Sequence, residues 1–458
     1  MFPMRKRDFR KTYIFFTGWL ILLGVTGLYA VVWGYYNDLI MDPFHSVGNW
    51  LIYGLYLLFL MVLAKIYGGY QVGHLNAGNI IYSSLLCLLF VNVITYFQIS
   101  LIGRELMPVL PMLLLTLVQA AAIVIWAIVA NKLYTKLYPP RRMLLIYDGT
   151  YADSLAKNLR TRPEKYVIAD AISISEGVEA ICAQMQHYDA VVICDVKSPY
   201  RNQLLKYCYG HSIRTYLTPK ISDVIMRGAI NVDLFDTPIL LCPSAGLSPE
   251  QAFTKRAMDL CIAVPMAVVT APIMLITAII IKCQDGGPIL FKQKRCTLNE
   301  KVFSVLKFRS MIVDAEKDGK AKPCVDNDPR VTPFGKFIRI TRIDELPQLF
   351  NIIKGDMSIV GPRPERIEHV RAYNQKIPEF KFRSKVKAGL TGYAQIAGKY
   401  NTTPYDKLKM DLMYIEQYSL LTDLKLMLLT VKVLFMKEST KGFSQKDSRD
   451  MHKQDWSR

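Results

Sequence analysis

Residues 260–281 read LCIAVPMAVVTAPIMLITAIII. The run is long enough to cross a bilayer as a helix, which takes about 20 apolar residues. Two features argue for a different path. Pro265 and Pro272 interrupt it, and each removes a backbone donor and bends a helix. Both flanks are also basic, with Lys255 and Arg256 before the run and Lys282, Lys292, Lys294 and Arg295 after it. Between 282 and 400 there are 24 Lys and Arg against 13 Asp and Glu, a net of +11. An ordinary fifth span would carry that charge outside, against the tendency of basic segments to stay on the cytoplasmic side. The expectation is a re-entrant membrane helix, 255–281, bent at Pro272, that enters and leaves on the cytoplasmic face. Lys255, Arg256 and Asp259 would anchor its start.

Upstream, apolar stretches lie at about 13–34, 50–68, 80–102 and 108–131, each close to the length of a span. The first is too long for a signal peptide and lacks a small-residue cleavage site. The basic N-terminus MFPMRKRDFRK reads as inside, and the 35–49 loop, with Asp38 and Asp42 and no Lys or Arg, as outside. Lys65 and the Lys132, Lys136, Arg141 and Arg142 cluster fall inside if residues 1–140 form four spans. Residues 141–244 then alternate short apolar runs (143–147, 166–172, 189–195 and 213–219) with polar amphipathic segments, the pattern of βαβ units. A Rossmann-like α/β domain is expected there. Its nucleotide fingerprint is not intact, because Asp148-Gly149-Thr150-Tyr151 keeps only the first glycine and sets a tyrosine where backbone must approach a pyrophosphate. A Ser/Gly/Pro-rich linker, 245–254, follows.

Downstream, 282–436 reads as a mixed α/β domain with short helices, 425–436 as a basic apolar helix suited to a membrane surface, and 437–458 as a disordered polar tail. The segment 339–364, RITRIDELPQLFNIIKGDMSIVGPRP, sets the acidic pair Asp344-Glu345 among basic residues. By itself the pair also reads as a helix N-cap and a first-turn acid ahead of ELPQLFNII. Adjacent carboxylates beside arginines equally suit magnesium-dependent phosphoryl transfer, one attacking phosphorus and the other holding metal. Arg295, Lys307, Arg309, Arg342 and Arg363 are the cations that could neutralise a diphosphate, or could be solvated surface charges. Lys307 and Arg309 alternate as on one face of a strand, and Arg363 sits rigidly between Pro362 and Pro364. Asp356 reads as a metal ligand, an arginine partner or a turn carboxylate.

The whole chain has 458 residues, 51% of them apolar, with a net charge of +19, which fits a membrane protein whose basic parts face anionic lipid. Nucleic acid is disfavoured, because no zinc pattern, aromatic RNA-binding motif or basic helical repeat is present. The nine cysteines include no C-x-x-C pair, so reduced cytoplasmic thiols are expected rather than a disulfide framework.

From 255 to about 436 the chain closely resembles the catalytic domain of bacterial sugar transferases, the polyprenyl-phosphate hexose-1-phosphate transferases that initiate exopolysaccharide, capsule and O-antigen synthesis. The likeness is carried by Lys255-Arg256-x-x-Asp259, Asp285-Gly286-Gly287-Pro288, Lys307-Phe308-Arg309-Ser310-Met311 and Asp328-Pro329-Arg330-Val331-Thr332. It continues in Asp344-Glu345-Leu346-Pro347-Gln348, Gly355-Asp356-Met357-Ser358, Gly361-Pro362-Arg363-Pro364 and Gly389-Leu390-Thr391-Gly392, with order and spacing kept. The resemblance implies Asp344 as nucleophile, Glu345 associated with Mg2+, and Arg363 near the nucleotide, with Gln348, Pro362 and Pro364 beside the substrate. It also implies a UDP-sugar donor, an undecaprenyl phosphate acceptor in the cytoplasmic membrane, and catalysis on the cytoplasmic face. A glucose or galactose phosphate is the family's expectation for the sugar, with N-acetylated or deoxy amino sugars as alternatives, and a membrane homodimer fits the architecture. The chain departs from the family at Ala271-Pro272, where Ser-Pro is common, and at Cys296-Thr297, where many members have an aliphatic residue and glycine. The competing function is a non-catalytic membrane scaffold of polysaccharide assembly.

Overall fold

The computed structural model describes residues 9–434 except 74, 150, 235, 243–245, 314, 316–327 and 399–401. The 437–458 tail, the end of the 425–436 helix and Cys324 lie outside the described residues. The chain divides into two compact units, 1–218 and 219–458.

The first unit opens with four long helices, α1 (Phe9–Leu39), α2 (Val47–Tyr67), α3 (Ala77–Gly103) and α4 (Val109–Leu137). Among the described residues, these and one later helix are the five long and apolar enough to cross a membrane. Much of their apolar surface is exposed, as for Phe16, Leu20, Leu101 and Leu117, which suits a lipid surround. Polar groups point inward instead. Gln119 donates to Val25 O at 2.9 Å and to Tyr56 Oη at 3.0 Å, Asn92 donates to Gln119 at 2.9 Å, and Tyr56 donates to Asn92 at 2.8 Å. Such bonds tie helices together where lipid offers no partner.

Next come strands β1 (Arg141–Tyr147), β2 (Tyr166–Ser173), β3 (Ala190–Cys194) and β4 (Arg214–Leu217), alternating with α5 (Tyr151–Arg160), α6 (Val178–Met185) and α7 (Ser198–Gly210). They form a parallel sheet of order β2-β1-β3-β4. Leu144, Ile146, Val191 and Ile193 fill one face, and Met143, Leu145, Ala190 and Val192 the other. Burial on both faces explains why these strands read as unbroken apolar runs. The sheet ends at Leu217. Within 219–244, which the sequence grouped with this domain, Ile221 and Val224 of α8 (Ile221–Arg227) belong to the second unit and share a core with Leu349, Ile352 and Leu412. The hairpin β5 (Ile230–Leu234) and β6 (Thr237–Leu241) follows.

Helix α9 spans Pro249–Asp285 without interruption. It starts earlier than the composition of 245–254 suggested because Ser248 and Gln251 form a reciprocal capping box with Pro249 in the first turn. Neither Pro265 nor Pro272 ends it, and Gly286 at φ 68° closes it in the left-handed region that glycine tolerates. Its first turns are fastened to the unit by three buried or half-buried polar residues. Lys255 contacts Asp423 at 2.5 Å and Tyr414 at 3.1 Å; Arg256 donates to Ile352 O and Ile353 O at 2.6 and 2.7 Å; Asp259 accepts from Ser358 Oγ and Ile359 N, both at 3.0 Å. Its last turns pack Met274 and Ile281 on Phe308 and Ile338, and Asp285 pairs with Arg309. The stretch between carries exposed Val264, Met266, Val268, Val269 and Ile273.

The remaining elements are the antiparallel hairpin β7 (Leu290–Cys296) and β8 (Val302–Phe308), α10 (Pro333–Ile340), a 3₁₀ turn at Ile343–Glu345, α11 (Gln348–Lys354), β9 (Ser358–Val360) and α12 (Ile367–Lys376). A second 3₁₀ segment (Pro378–Lys385), β10 (Gly389–Thr391), α13 (Tyr393–Ala397), α14 (Pro404–Glu416) and α15 (Leu420–Leu434) complete it. Strands β9 and β10 pair in parallel. Asn351 on α11 locks that helix to β8, accepting from Leu306 N and donating to Ser304 O, each at 2.9 Å.

Candidate active site

The acidic pair sits in the tight turn between α10 and α11. Arg342, ahead of it, adopts φ 59°, a left-handed conformation costly for a side chain with a Cβ, and its carbonyl accepts from Glu345 N at 3.1 Å. Asp344 caps no helix; α11 begins after Pro347 instead. The residue is buried at 8% exposure, and its Oδ1 has no hydrogen-bond partner among the described residues. Glu345 is engaged, accepting from Lys307 Nζ at 2.7 Å with Arg342 at 3.9 Å.

The two carboxylates therefore differ in acidity. Burial, and then the charge of Glu345, push Asp344 up to about 6 despite Lys307, Arg342 and Arg339 nearby. Burial also works to raise Glu345, but Lys307, Arg363 and Arg342 outweigh it and hold that group down at about 2. At neutral pH one carboxylate is firmly ionised and the other is ionised but uncompensated by hydrogen bonds, the combination expected of a reactive acid beside an electrostatic partner.

A cleft opens beside the pair, lined by Arg295, Lys307, Glu345, Gln348, Arg363 and Pro364, among others. Five of the residues expected at the substrate thus meet there with Glu345. Asp344, next to Glu345 in the chain, is not among the lining residues. The G-P-R-P turn forms one side and is tied at every residue. Gly361 N donates to Thr391 O at 2.8 Å; Pro362 O accepts from Gly389 N at 2.9 Å; Arg363 O accepts from Arg383 at 2.9 Å; Pro364 O accepts from Arg295 at 3.0 Å. Gly361 and Gly389 approach too closely for side chains, since a Cβ on Gly389 would lie 2.1 Å from Gly361 N. Arg295 spends much of its guanidinium on Pro364 O and on Gln293, and burial, with Arg363 beside it, lowers it to about 10. Arg363 itself is exposed and contacts Gln395 at 3.3 Å.

Four expected residues are not on the cleft lining: Arg342, which stays beside Glu345, Pro362, Arg309 and Asp356. Arg309 leaves the strand after Phe308 and turns to Asp285 and Ile281 O at the end of α9. Asp356 pairs with exposed Lys354 at 3.4 Å and is not on the cleft, although its carbonyl accepts from Thr297 Oγ1 at 2.9 Å. That hydroxyl also accepts from Ala388 N at 3.1 Å, so the threonine at the Cys296-Thr297 departure staples β7 to the loops beside the turn. Pro362 faces a neighbouring cavity with Arg363. Sequence reasoning missed Arg383, Asp411 and Glu365. Arg383 pairs with buried Asp411 at 2.7 Å, approaches Glu365 at 4.0 Å and donates to the carbonyl of Arg363. Nothing local in KFRSK distinguishes this arginine from a surface charge.

Residues 250–437 match the family model described as bacterial sugar transferase. A UDP-N-acetylgalactosamine-undecaprenyl-phosphate N-acetylgalactosaminephosphotransferase of Aeromonas hydrophila is 37% identical, over 54% of this chain and 59% of its own length. A UDP-glucose:undecaprenyl-phosphate glucose-1-phosphate transferase of Klebsiella pneumoniae is 34% identical, over 64% and 62%. A protein with the same name from Caulobacter vibrioides is 38% identical over 43% of this chain, and the match takes in 76% of the relative. The chain belongs to the bacterial sugar transferase family. It spans about 60% of the length of the first two relatives. The family's matched region contains the acidic pair, the cleft and all of α9 except its first residue.

Proposed function

We propose that this sugar transferase moves a hexose-1-phosphate from a UDP-sugar to undecaprenyl phosphate with release of UMP, the first committed step of an exopolysaccharide, capsule or O-antigen. The observation that carries the mechanism is the divided pair: Glu345 held ionised by Lys307, and Asp344 with a buried oxygen that has no hydrogen-bond partner among the described residues. A carboxylate oxygen of Asp344 attacks the β-phosphorus. The bond from that phosphorus to the bridging oxygen breaks, and UMP leaves with the electron pair. The resulting sugar-phosphoryl aspartate is then attacked at phosphorus by an oxygen of the lipid phosphate, which returns the carboxylate and forms the polyprenyl diphosphate sugar. Lys307, Arg363 and Arg295 line the space where phosphoryl charge spreads, and fixed cations there stabilise it without reorganising.

Magnesium fits this site. It takes one or two carboxylates together with substrate phosphates rather than a protein cage. Glu345 on the cleft wall is a hard oxygen donor of that kind and would hold the ion, whereas Asp356 lies off the cleft. When bound, the ion would neutralise diphosphate charge.

The proposed setting is the cytoplasmic membrane, with α1–α4 as four spans, the α/β sheet unit as a Rossmann-like domain, and α9 as a helix inserted from the cytoplasmic face. Support for the last comes from both ends of α9 being fastened to one folded unit: Arg256 caps α11, α11 is locked to β8, and Phe308 of β8 receives Ile281. A full crossing would put a bilayer between those contacts. Extracellular labelling of a cysteine introduced at Lys292 or Lys354 would refute it.

The test of activity is UMP release by purified protein with undecaprenyl phosphate, magnesium and UDP-sugars supplied singly. Relatives named for glucose and for N-acetylgalactosamine make those the first two. Release with one sugar, dependent on lipid, names the donor. Asp344→Asn and Glu345→Gln should each lower turnover at least ~10²-fold, and near-normal turnover of Asp344→Asn would remove the covalent step.

A further inference from the structure

Two of the cleft's walls come from different elements. Strand β8 supplies Val305 and Lys307, while the acidic turn and the start of α11 supply Glu345 and Gln348. Lys307 Nζ spans the gap to Glu345 at 2.7 Å. The strand that carries this lysine pairs with β7 alone, in a two-stranded sheet, so its other edge has no strand beside it. Asn351 of α11 takes that edge. Its Oδ1 accepts from Leu306 N and its Nδ2 donates to Ser304 O, each at 2.9 Å. One side-chain amide thus meets a donor and an acceptor two residues apart, as the backbone of a neighbouring strand would. Asn351 is 3% exposed and does not line the cleft. Its carbonyl is committed as well, accepting from Gly355 N at 3.1 Å and Asp356 N at 3.0 Å where α11 ends.

We infer that Asn351 is a positioning residue: its amide fixes which step of β8 faces α11, and so where Lys307 meets Glu345. The inference rests on the proposed reaction, in which those two groups act on the phosphoryl charge. Phe303 and Val305, which share a strand face with Lys307, pack in one core with Leu349 and Ile352 on either side of Asn351. Such apolar contacts hold the strand against the helix but are non-directional. A lysine stem is flexible and does not place its own ammonium. The paired donor and acceptor of the amide supply the missing direction, since a slip of one residue along β8 would turn both backbone groups away. Burial alone does not call for this amide: Ser304 is exposed, so water would serve its carbonyl equally well.

The test is lysine acylation by an N-hydroxysuccinimide ester, read site by site by mass spectrometry. It uses the full-length protein in detergent and magnesium-free buffer and needs no donor. Asn351→Leu removes both bonds, and Asn351→Asp keeps the acceptor for Leu306 N and loses the donor to Ser304 O. Thermal unfolding confirms that each variant folds, and the aspartate variant carries the test if the leucine variant does not. Asn351→Leu should speed acylation of Lys307 at least about fivefold, Asn351→Asp by less, with exposed Lys336 unchanged. Added to Glu345→Gln, which frees Lys307 directly, Asn351→Leu should give no further acceleration. Unchanged labelling of Lys307 in the folded variants overturns the assignment, as does acceleration that persists in the Glu345→Gln background, which would mean general loosening. UMP release is read in parallel and should fall at least about tenfold in Asn351→Leu, the scale of a small misplacement of a catalytic group. Normal release with Lys307 freed overturns the positioning role and leaves the reaction standing. An unmodified chain that releases no UMP refutes the reaction instead, and the labelling still decides the clamp.

Discussion

Replacing Asp344 by Asn should stabilise this protein while destroying its chemistry. In the folded chain Asp344 holds its proton up to about pH 6, against about 3.9 in an unfolded one. A raised carboxylate pKa means that ionisation opposes folding. The opposition is complete above about pH 6, shrinks as pH falls toward 4, and is gone below that. The difference corresponds to about 3 kcal/mol at pH 8, and to about half of that at pH 5. Asparagine has the same shape and no charge, so it escapes the burial cost and the repulsion from Glu345. For a unit of this size about 1 kcal/mol moves Tm by about 2–4 °C, which places the expected gain on the order of 5–10 °C at pH 8. The assay is thermal unfolding by intrinsic fluorescence in detergent, in magnesium-free buffer, at pH 8 and pH 5. A variant no more stable than the parent at pH 8, or one whose gain does not shrink at pH 5, would refute the claim that Asp344 is held ionised against its environment.

Three further outcomes follow from the same geometry. Turnover should fall about tenfold per pH unit below about pH 6, because the attacking carboxylate must be ionised; a flat pH–rate profile from 7 to 5 would separate the pKa of Asp344 from the chemistry. Lys307→Gln removes the close partner of Glu345 and should cut turnover at least ~10²-fold and lower Tm, while adding Glu345→Gln should recover the Tm but not the turnover. Lys255→Met strands Asp423, which is wholly buried, and should cost about 3–5 kcal/mol; the pair Lys255→Met with Asp423→Leu should be markedly less destabilised, and unfolding in denaturant measures both.

What the sequence displays plainly is what is periodic or contiguous. The apolar helices, the short strands of the parallel sheet and the cations near the acidic pair are of this kind. The division at 218 is not, because α8 looks like one more helix of a βα repeat until Ile221 and Val224 are seen in the core of the second unit. Nor is the destination of Arg309. Two-residue alternation sets it on the same face as Lys307, but the strand stops at Phe308 and the next side chain follows the end of α9 instead. The Asp344 turn misleads for a related reason. Its spacing suits an N-cap, yet Arg342 ahead of it is in the left-handed region, and Asp344 is buried with one oxygen lacking a hydrogen bond among the described residues. Arg383 and Asp411 act through contacts between distant segments, for which no local signal exists.

Strand β8 serves two masters two residues apart, the cleft through Lys307 and, just past its end, the apolar helix through Arg309. Its ladder with β7 pairs residue for residue from Leu290–Phe308 to Cys296–Val302 without a bulge to absorb an error. A one-residue insertion or deletion here would turn Lys307 away from Glu345 and break the tie to α9 in the same stroke. Divergence along this hairpin should therefore proceed by substitution and not by changes of length, and variation in length should collect in the connections on either side of it.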